Sequence, residues 1–234
     1  MPRYHIWTIG CQMNKAESER IGSYLEQLGY QATAAENADF VVVNSCVVRQ
    51  SAEDRALNKL SYLKGLKKSR PDLTIALTGC LVNSDIEQLE KRLPQVDLFF
   101  QPGAFLDLLS WMEKQDMPSL KPESGLPSHP SPCTFVPIIQ GCDNFCSYCI
   151  VPYRRGRERS RPVEEIAAEV EELVQRGVKE VTLLGQNVNS YGHDLPEKPD
   201  LTDLLERLNR LEGLWRIRFL TNHPKDMCNR LIEA

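Results

Sequence analysis

Asp39-Phe40-Val41-Val42-Val43-Asn44-Ser45-Cys46 is the stretch on which the fold turns. Four consecutive apolar residues with no polar alternation describe a strand buried on both faces, as in a parallel sheet with helices on each side. Working outward, residues 4–10 and 73–79 read as further strands, the second after Pro71. Residues 18–28 read as an amphipathic helix, with Ile21, Leu25 and Leu28 at helical spacing and Gly29 as its stop. A long charged helix is expected near 52–68, shorter helices at 85–93 and 105–113, and a strand at 96–100. Alternation of this kind implies a doubly wound parallel α/β domain over residues 1–116.

Residues 117–132 carry five prolines, Pro118, Pro122, Pro127, Pro130 and Pro132, which is linker composition. Residues 133–234 resume the alternation. A strand is expected at 135–140, a helix at 162–176 with Pro162 in its first turn, a strand at 180–185, a helix at 203–212 and a strand at 215–221. Three parallel strands leave an open edge, which proteins ordinarily avoid, so this second domain is expected to be incomplete at its C-terminal end.

The 234 residues, 41% hydrophobic and 26% charged, suit a soluble globular protein of one large or two modest domains. No apolar run approaches the roughly 20 residues that span a bilayer. The N-terminus has no signal-peptide pattern, so a cytoplasmic protein without membrane contact is expected. With 28 basic and 32 acidic side chains the net charge is −4. That argues against nucleic-acid binding by bulk charge and leaves a local basic patch open. Eight cysteines are too few for a secreted disulfide scaffold. In a reducing compartment they read as metal ligands or catalytic thiols.

The densest group is Gly141-Cys142-Asp143-Asn144-Phe145-Cys146-Ser147-Tyr148-Cys149. Thiolates at C-x3-C-x2-C spacing can hold three irons of a 4Fe–4S cluster and leave the fourth open. An open iron is a reaction site, as a vacant position is on catalytic zinc. The alternatives are free thiols, or a zinc site, for which no fourth cysteine or histidine lies nearby. A second set is Cys11, Cys46 and Cys80, each directly after an expected strand. Strand C-termini of a parallel sheet share one edge, so the three converge on one rim, where Gly10 and Gly79 would let backbone approach a bulky inorganic group. Taken singly, each reads as a buried structural cysteine.

Arg154, Arg155, Arg157, Arg159 and Arg161, interrupted by Glu158, read either as a phosphate clamp suited to an RNA loop or as a solvated loop paired with carboxylates. Gln186, Asn187 and Asn189 follow one strand, and Thr221, Asn222 and His223 another, as ligand contacts or polar loop caps. Tyr148 reads as packing on a ligand or on the core. Met13 and Asn14 read as loop residues shaping the rim, with no ligand role. Cys133 and Cys228 read as incidental.

The cysteine loop resembles the signature of the radical S-adenosylmethionine (SAM) enzymes. Thr8-Ile9-Gly10-Cys11-Gln12-Met13-Asn14, Asn44-Ser45-Cys46-Val47-Val48-Arg49 and Gly79-Cys80 resemble the N-terminal domain of the methylthiotransferases. The arginine stretch up to Pro162, Leu183-Leu184-Gly185-Gln186-Asn187-Val188-Asn189 and Arg218-Phe219-Leu220-Thr221-Asn222-His223-Pro224 are similar to the tRNA-modifying branch. The resemblance covers nearly the whole chain. It implies that the second domain is the first half of a (β/α) barrel, without the family's further strands and C-terminal RNA-gripping β-domain.

It further implies two 4Fe–4S clusters. One, on Cys142, Cys146 and Cys149, chelates SAM at its open iron; the other, auxiliary and on Cys11, Cys46 and Cys80, carries sulfur. SAM contacts are implied for Tyr148, Gln186, Asn187 and Asn222, and RNA contacts for the five arginines. The implied reaction is methylthiolation at C2 of N6-isopentenyl-adenosine beside a tRNA anticodon. One SAM methylates the sulfur, and a second is cleaved to a 5′-deoxyadenosyl radical. The implied partners are the anticodon loop and an electron donor such as flavodoxin or ferredoxin, with the enzyme a monomer. Rival readings are methylthiolation of threonylcarbamoyl-adenosine or of a ribosomal-protein aspartate, and a non-catalytic metal- or RNA-binding module.

Overall fold

The computed structural model describes residues 1–82, 85–115, 125–127 and 129–234. They form two compact units, Met1–Pro127 and Ser128–Ala234. Most of the proline-rich stretch lies outside the described residues; within it, Leu126 is buried.

The first unit is a wholly parallel five-stranded sheet of β1 (Arg3–Thr8), β2 (Gln31–Ala32), β3 (Phe40–Ser45), β4 (Thr74–Gly79) and β5 (Leu98–Phe99). Its order is β2-β1-β3-β4-β5. The direction of winding reverses between β1 and β3, the switch point where doubly wound sheets bind ligands beyond their strand C-termini. All six residues of β3 are buried, as its unbroken apolar run requires. Phe40 and Val42 join Ile21 and Leu25 of α1 (Gln12–Gln27) and Leu28 just after it. The opposite-facing Val41 and Val43 are equally buried, and α2 (Gln50–Ser69), with Ala56, Leu60 and Leu63 buried, packs against β3. Two further helices, α3 (Ile86–Arg92) and α4 (Phe105–Lys114), complete the unit; Leu108 and Met112 of α4 enter the α1 core.

One boundary corrects the sequence reading. Helix α1 begins at Gln12, six residues before the expected start, directly after Cys11 in extended conformation. Its first turns bury Met13, Asn14, Ala16 and Glu17. Two of these four are polar, which erases the apolar periodicity on which the expectation rested.

In the second unit β6 (Cys133–Pro137), β9 (Glu180–Leu184) and β10 (Arg216–Phe219) form a parallel sheet in the order β10-β9-β6. Between them β7 (Ile139–Gln140) and β8 (Arg159–Ser160) pair as an antiparallel ribbon. The single strand expected at 135–140 is therefore split. Ile138 donates its N–H to Leu184 on one side and accepts from Arg161 N–H on the other, both at 2.9 Å, so the chain changes partners there. The helices are α5 (Val151–Arg155), α6 (Val163–Gln175), α7 (Leu201–Asn209) and α8 (Asn229–Glu233). Ile166, Ala167, Val170 and Leu173 of α6 and Leu201, Leu204 and Leu208 of α7 are buried. Helix α5 was absent from the sequence expectation; Pro152 sits in its first turn, where proline costs no hydrogen bond. Among the described residues no helix is long and apolar enough to cross a membrane.

Candidate iron-sulfur sites on a loop and on a sheet edge

Strands β1, β3 and β4 are consecutive neighbours, with Thr8 opposite Asn44 and Asn44 opposite Thr78. Cys11, Cys46 and Cys80 leave the C-terminal ends of these three strands, so one edge of one sheet carries all three sulfurs. Cys11 is exposed and Cys46 and Cys80 are buried. The edge is closely packed at Gly10, where a Cβ would lie 3.1 Å from the Cys46 Cβ and 2.3 Å from Asn14 Oδ1. Asn14, read from sequence as a loop residue, is fully buried in α1.

In the second unit Cys142, Cys146 and Cys149 lie on the loop between β7 and α5. Two pins hold its start. Gln186 Oε1 accepts from Gly141 N–H at 2.6 Å, and Gly156 O accepts from Cys142 N–H at 3.1 Å. Asp143 and Glu158 exchange backbone-to-carboxylate bonds of 3.2 and 3.3 Å. Gly141 has φ +84°, and a Cβ there would meet Arg157 O at 2.1 Å, so only glycine fits. Cys149 N–H closes a turn onto Cys146 O at 2.9 Å. Phe145 holds φ +45° inside this loop, with the Arg157 guanidinium 4.7 Å from its ring centroid.

Burial pushes the Cys142 thiol up, and Glu158, Cys149 and Cys146 push it further, against a lowering hydrogen bond from Asn144 backbone. Three neighbouring thiolates repel one another, and a bound cation reverses that by deprotonating its ligands outright. All eight cysteines are free. Among the described residues no three His, Cys, Asp or Glu side chains are gathered closely enough to hold a metal ion. In donor chemistry each cysteine set fits an iron–sulfur cluster, which takes thiolates, and the glycine at each site admits backbone where a side chain would stand.

The remaining expected residues divide. Gln186 spends its carboxamide oxygen on the loop. Tyr148 is 89% exposed, away from the core, and the neighbouring Cys146 holds its phenol above the ordinary range. Asn187 is buried and donates to Asp226 at 2.7 Å, while its Oδ1 is buried with no partner among the described residues. Asn222 is exposed. Asn189 grips the His223 backbone at both ends, at 2.8 and 2.9 Å, and His223 Nε2 stands 4.0 Å from Cys146 Sγ.

The arginine run divides. Arg161 is turned inward, bonded to Glu165, Glu169 and Pro137 O at 2.8, 2.6 and 2.7 Å. Its charge is consumed by α6. Arg155 is buried. Arg157 and Arg159 are exposed and Arg154 half-buried. The i,i+4 spacing from Arg161 to Glu165 was the available signal that this arginine is structural.

A parallel βαβ unit carrying a C-x3-C-x2-C loop beyond its first strand is a radical SAM domain, and residues 136–234 match the model of the Radical SAM superfamily. Residues 3–101 match the model of the Uncharacterized protein family UPF0004. The chain is 57% identical over 236 residues to a tRNA-2-methylthio-N(6)-dimethylallyladenosine synthase of Dehalococcoides mccartyi, covering 100% of this chain and 54% of that protein. It is 48% identical to the synthase of that name from Herpetosiphon aurantiacus, over 99% of this chain and 54% of that protein. To the one from Clostridium botulinum it is 45% identical, over 99% and 55%. Over its whole length the chain is similar to these synthases, and its two parts match the two family models. It spans about half the length of the curated relatives it matches.

Proposed function

We propose that the protein transfers a methylthio group to C2 of N6-isopentenyl-adenosine in tRNA, with SAM as both methyl donor and radical source. The adjacency of β1, β3 and β4 carries this reading, since it brings Cys11, Cys46 and Cys80 to one edge. A radical SAM domain alone would account for only the other three cysteines. Adenine C2 bears an unactivated C–H bond, and no side-chain acid or base can exchange its hydrogen for sulfur. When bound, a 4Fe–4S cluster on Cys142, Cys146 and Cys149 supplies an open iron and an electron to SAM, and one on Cys11, Cys46 and Cys80 supplies sulfur.

The chain's own residues then position and exclude. Gln186 and the Asp143–Glu158 pair fix the loop. Tyr148, exposed beside Cys146, offers its ring face to the adenine of SAM, and the unpartnered Asn187 Oδ1 offers an acceptor. Arg157 and Arg159, with Arg154 behind them, contact phosphates of an anticodon loop, whose base leaves its stack at small cost. A flavodoxin- or ferredoxin-type donor, a monomeric state and a cytoplasmic location complete the reading.

The test is iron and sulfide content after anaerobic reconstitution. About eight irons per chain, falling to about four in the Cys142→Ala/Cys146→Ala/Cys149→Ala variant, is the expected result for two 4Fe–4S sites. About four irons falling to none would leave the first cysteine set structural and overturn the substrate reading with it.

A further inference from the structure

The buried amide of Asn14 joins the first unit's cysteine-bearing turns through a network the mechanism has not yet used. It is 0% exposed and lies beneath the three-cysteine edge. Its Oδ1 accepts from Cys11 N–H at 3.3 Å and from the Cys11 thiol at 3.4 Å. Its Nδ2 donates to Asn44 Oδ1 at 2.8 Å and to Ser45 O at 3.0 Å. Asn44, also 0% exposed, returns a bond to Asn14 O at 2.9 Å.

Ser45 carries the connection across the sheet. Its backbone O accepts from Cys80 N–H at 2.8 Å. Its Oγ donates to Thr78 O at 2.7 Å and accepts from Leu81 N–H at 3.3 Å. Cys46 is the next residue along the chain. One side chain therefore links, directly or through one neighbour, the three segments that present Cys11, Cys46 and Cys80.

We infer that Asn14 is a positioning residue for the three-cysteine edge, setting the turn after β1 against the ends of β3 and β4. The inference rests on the reading that this edge holds an iron–sulfur cluster. The chemistry selects asparagine. The position needs an acceptor for the Cys11 N–H, the donor that remains when a bound cluster deprotonates the thiol, and two donors facing β3, in the space that a Gly10 side chain would otherwise fill. Aspartate lacks the donors and would bury a charge. Alanine would leave the buried Asn44 Oδ1 without its donor.

The test uses the full chain in the Cys142→Ser/Cys146→Ser/Cys149→Ser background, so that iron reports only the first unit. Three proteins are compared: this parent, the parent with Asn14→Ala, and the parent with Ser18→Ala. Ser18 supplies the structural control. Its Oγ accepts from Asn44 Nδ2 at 3.0 Å and bonds Thr8 Oγ1 at 2.7 Å, in the same network, without bonding Cys11 or the Ser45 backbone. The readouts are iron and sulfide after reconstitution, the rate of iron loss to a chelator, and thermal midpoint with circular dichroism.

Both substitutions are expected to lower the midpoint. Only Asn14→Ala is expected to speed iron loss, by roughly tenfold or more, the usual effect of removing a group that orients a metal ligand. Equal iron retention in parent and Asn14→Ala overturns the inference while leaving the cluster reading intact. Equal acceleration by Ser18→Ala also overturns it, reducing Asn14 to general stability. A parent that takes up no iron sinks the cluster reading and the inference together.

Discussion

The loop of Cys142, Cys146 and Cys149 and the edge of Cys11, Cys46 and Cys80 offer three thiols each and assemble them by opposite routes. On the loop, all three sulfurs lie within eight residues, one turn joins Cys146 to Cys149, and bonds from Gln186, Gly156 and Glu158 hold the start. At the edge, nothing local relates Cys11 to Cys80. Their relation is the register of three parallel strands plus the Asn14 amide beneath them. A loop site should fail by local change, and an edge site by anything that disturbs the turns closing the sheet.

The largest expected effect tests that contrast. Gly141→Ala places a Cβ 2.1 Å from a backbone oxygen, at φ +84°. The left-handed conformation alone costs an L-residue about 1–2 kcal/mol, and a backbone atom cannot swing aside as a side chain would. Reconstituted Gly141→Ala should lose the loop iron, about four of eight atoms, and keep the rest. Loss of all iron would mean that the two sites are not independently assembled, and the contrast would fall.

A smaller effect separates arginines that the sequence presents as one run. Arg161 is 19% exposed and faces two carboxylates. Arg161→Ala leaves Glu169, 9% exposed, without this partner. Losing hydrogen bonds to a half-buried charge costs about 1.5–3 kcal/mol, read as a fall in the second unit's thermal midpoint. Arg157→Ala, at an exposed position, should leave the midpoint nearly unchanged. It should weaken binding of a single-stranded RNA loop and reduce the salt slope by about one. Equal stability loss in the two variants would show that the run is one structural element after all.

The same contrast sets what could be read from residues alone. The loop was legible because eight consecutive residues contain it. The edge was legible as far as strand ends reveal themselves in apolar runs, which is why β3 and its Cys46 stand out. What escaped depends on partners distant in sequence. Asn14 gains meaning only from Asn44, thirty residues on, and its burial disguised the first turns of α1 as loop. β2 and β8 are two residues long, too short for any periodicity. The bond from Gly141 N–H to Gln186 spans 45 residues, which no local pattern announces.

The smallest effect concerns the other edge of the first sheet. Asp39, just before β3, accepts from Arg3 N–H at 2.9 Å and from the Arg3 and Arg70 guanidiniums at 3.4 and 3.0 Å. Partial burial would raise its carboxyl, but the Arg3 bonds and the Arg70 charge outweigh it and hold it below the ordinary range. A carboxyl held low in the folded state contributes stability above its unfolded pKa of about 4, and that contribution is lost as pH falls through the lower folded value. Asp39 is two-fifths exposed, so solvent screening limits the contribution to less than about 1 kcal/mol. Asp39→Asn should therefore lower the midpoint by a few degrees at neutral pH and flatten its decline between pH 4 and more acid values. It should leave the iron content untouched, because these bonds tie strand beginnings while the cysteines depend on strand ends. Iron loss in Asp39→Asn would mean that the register of the whole sheet, and not the local hub around Asn14, sets the three sulfurs.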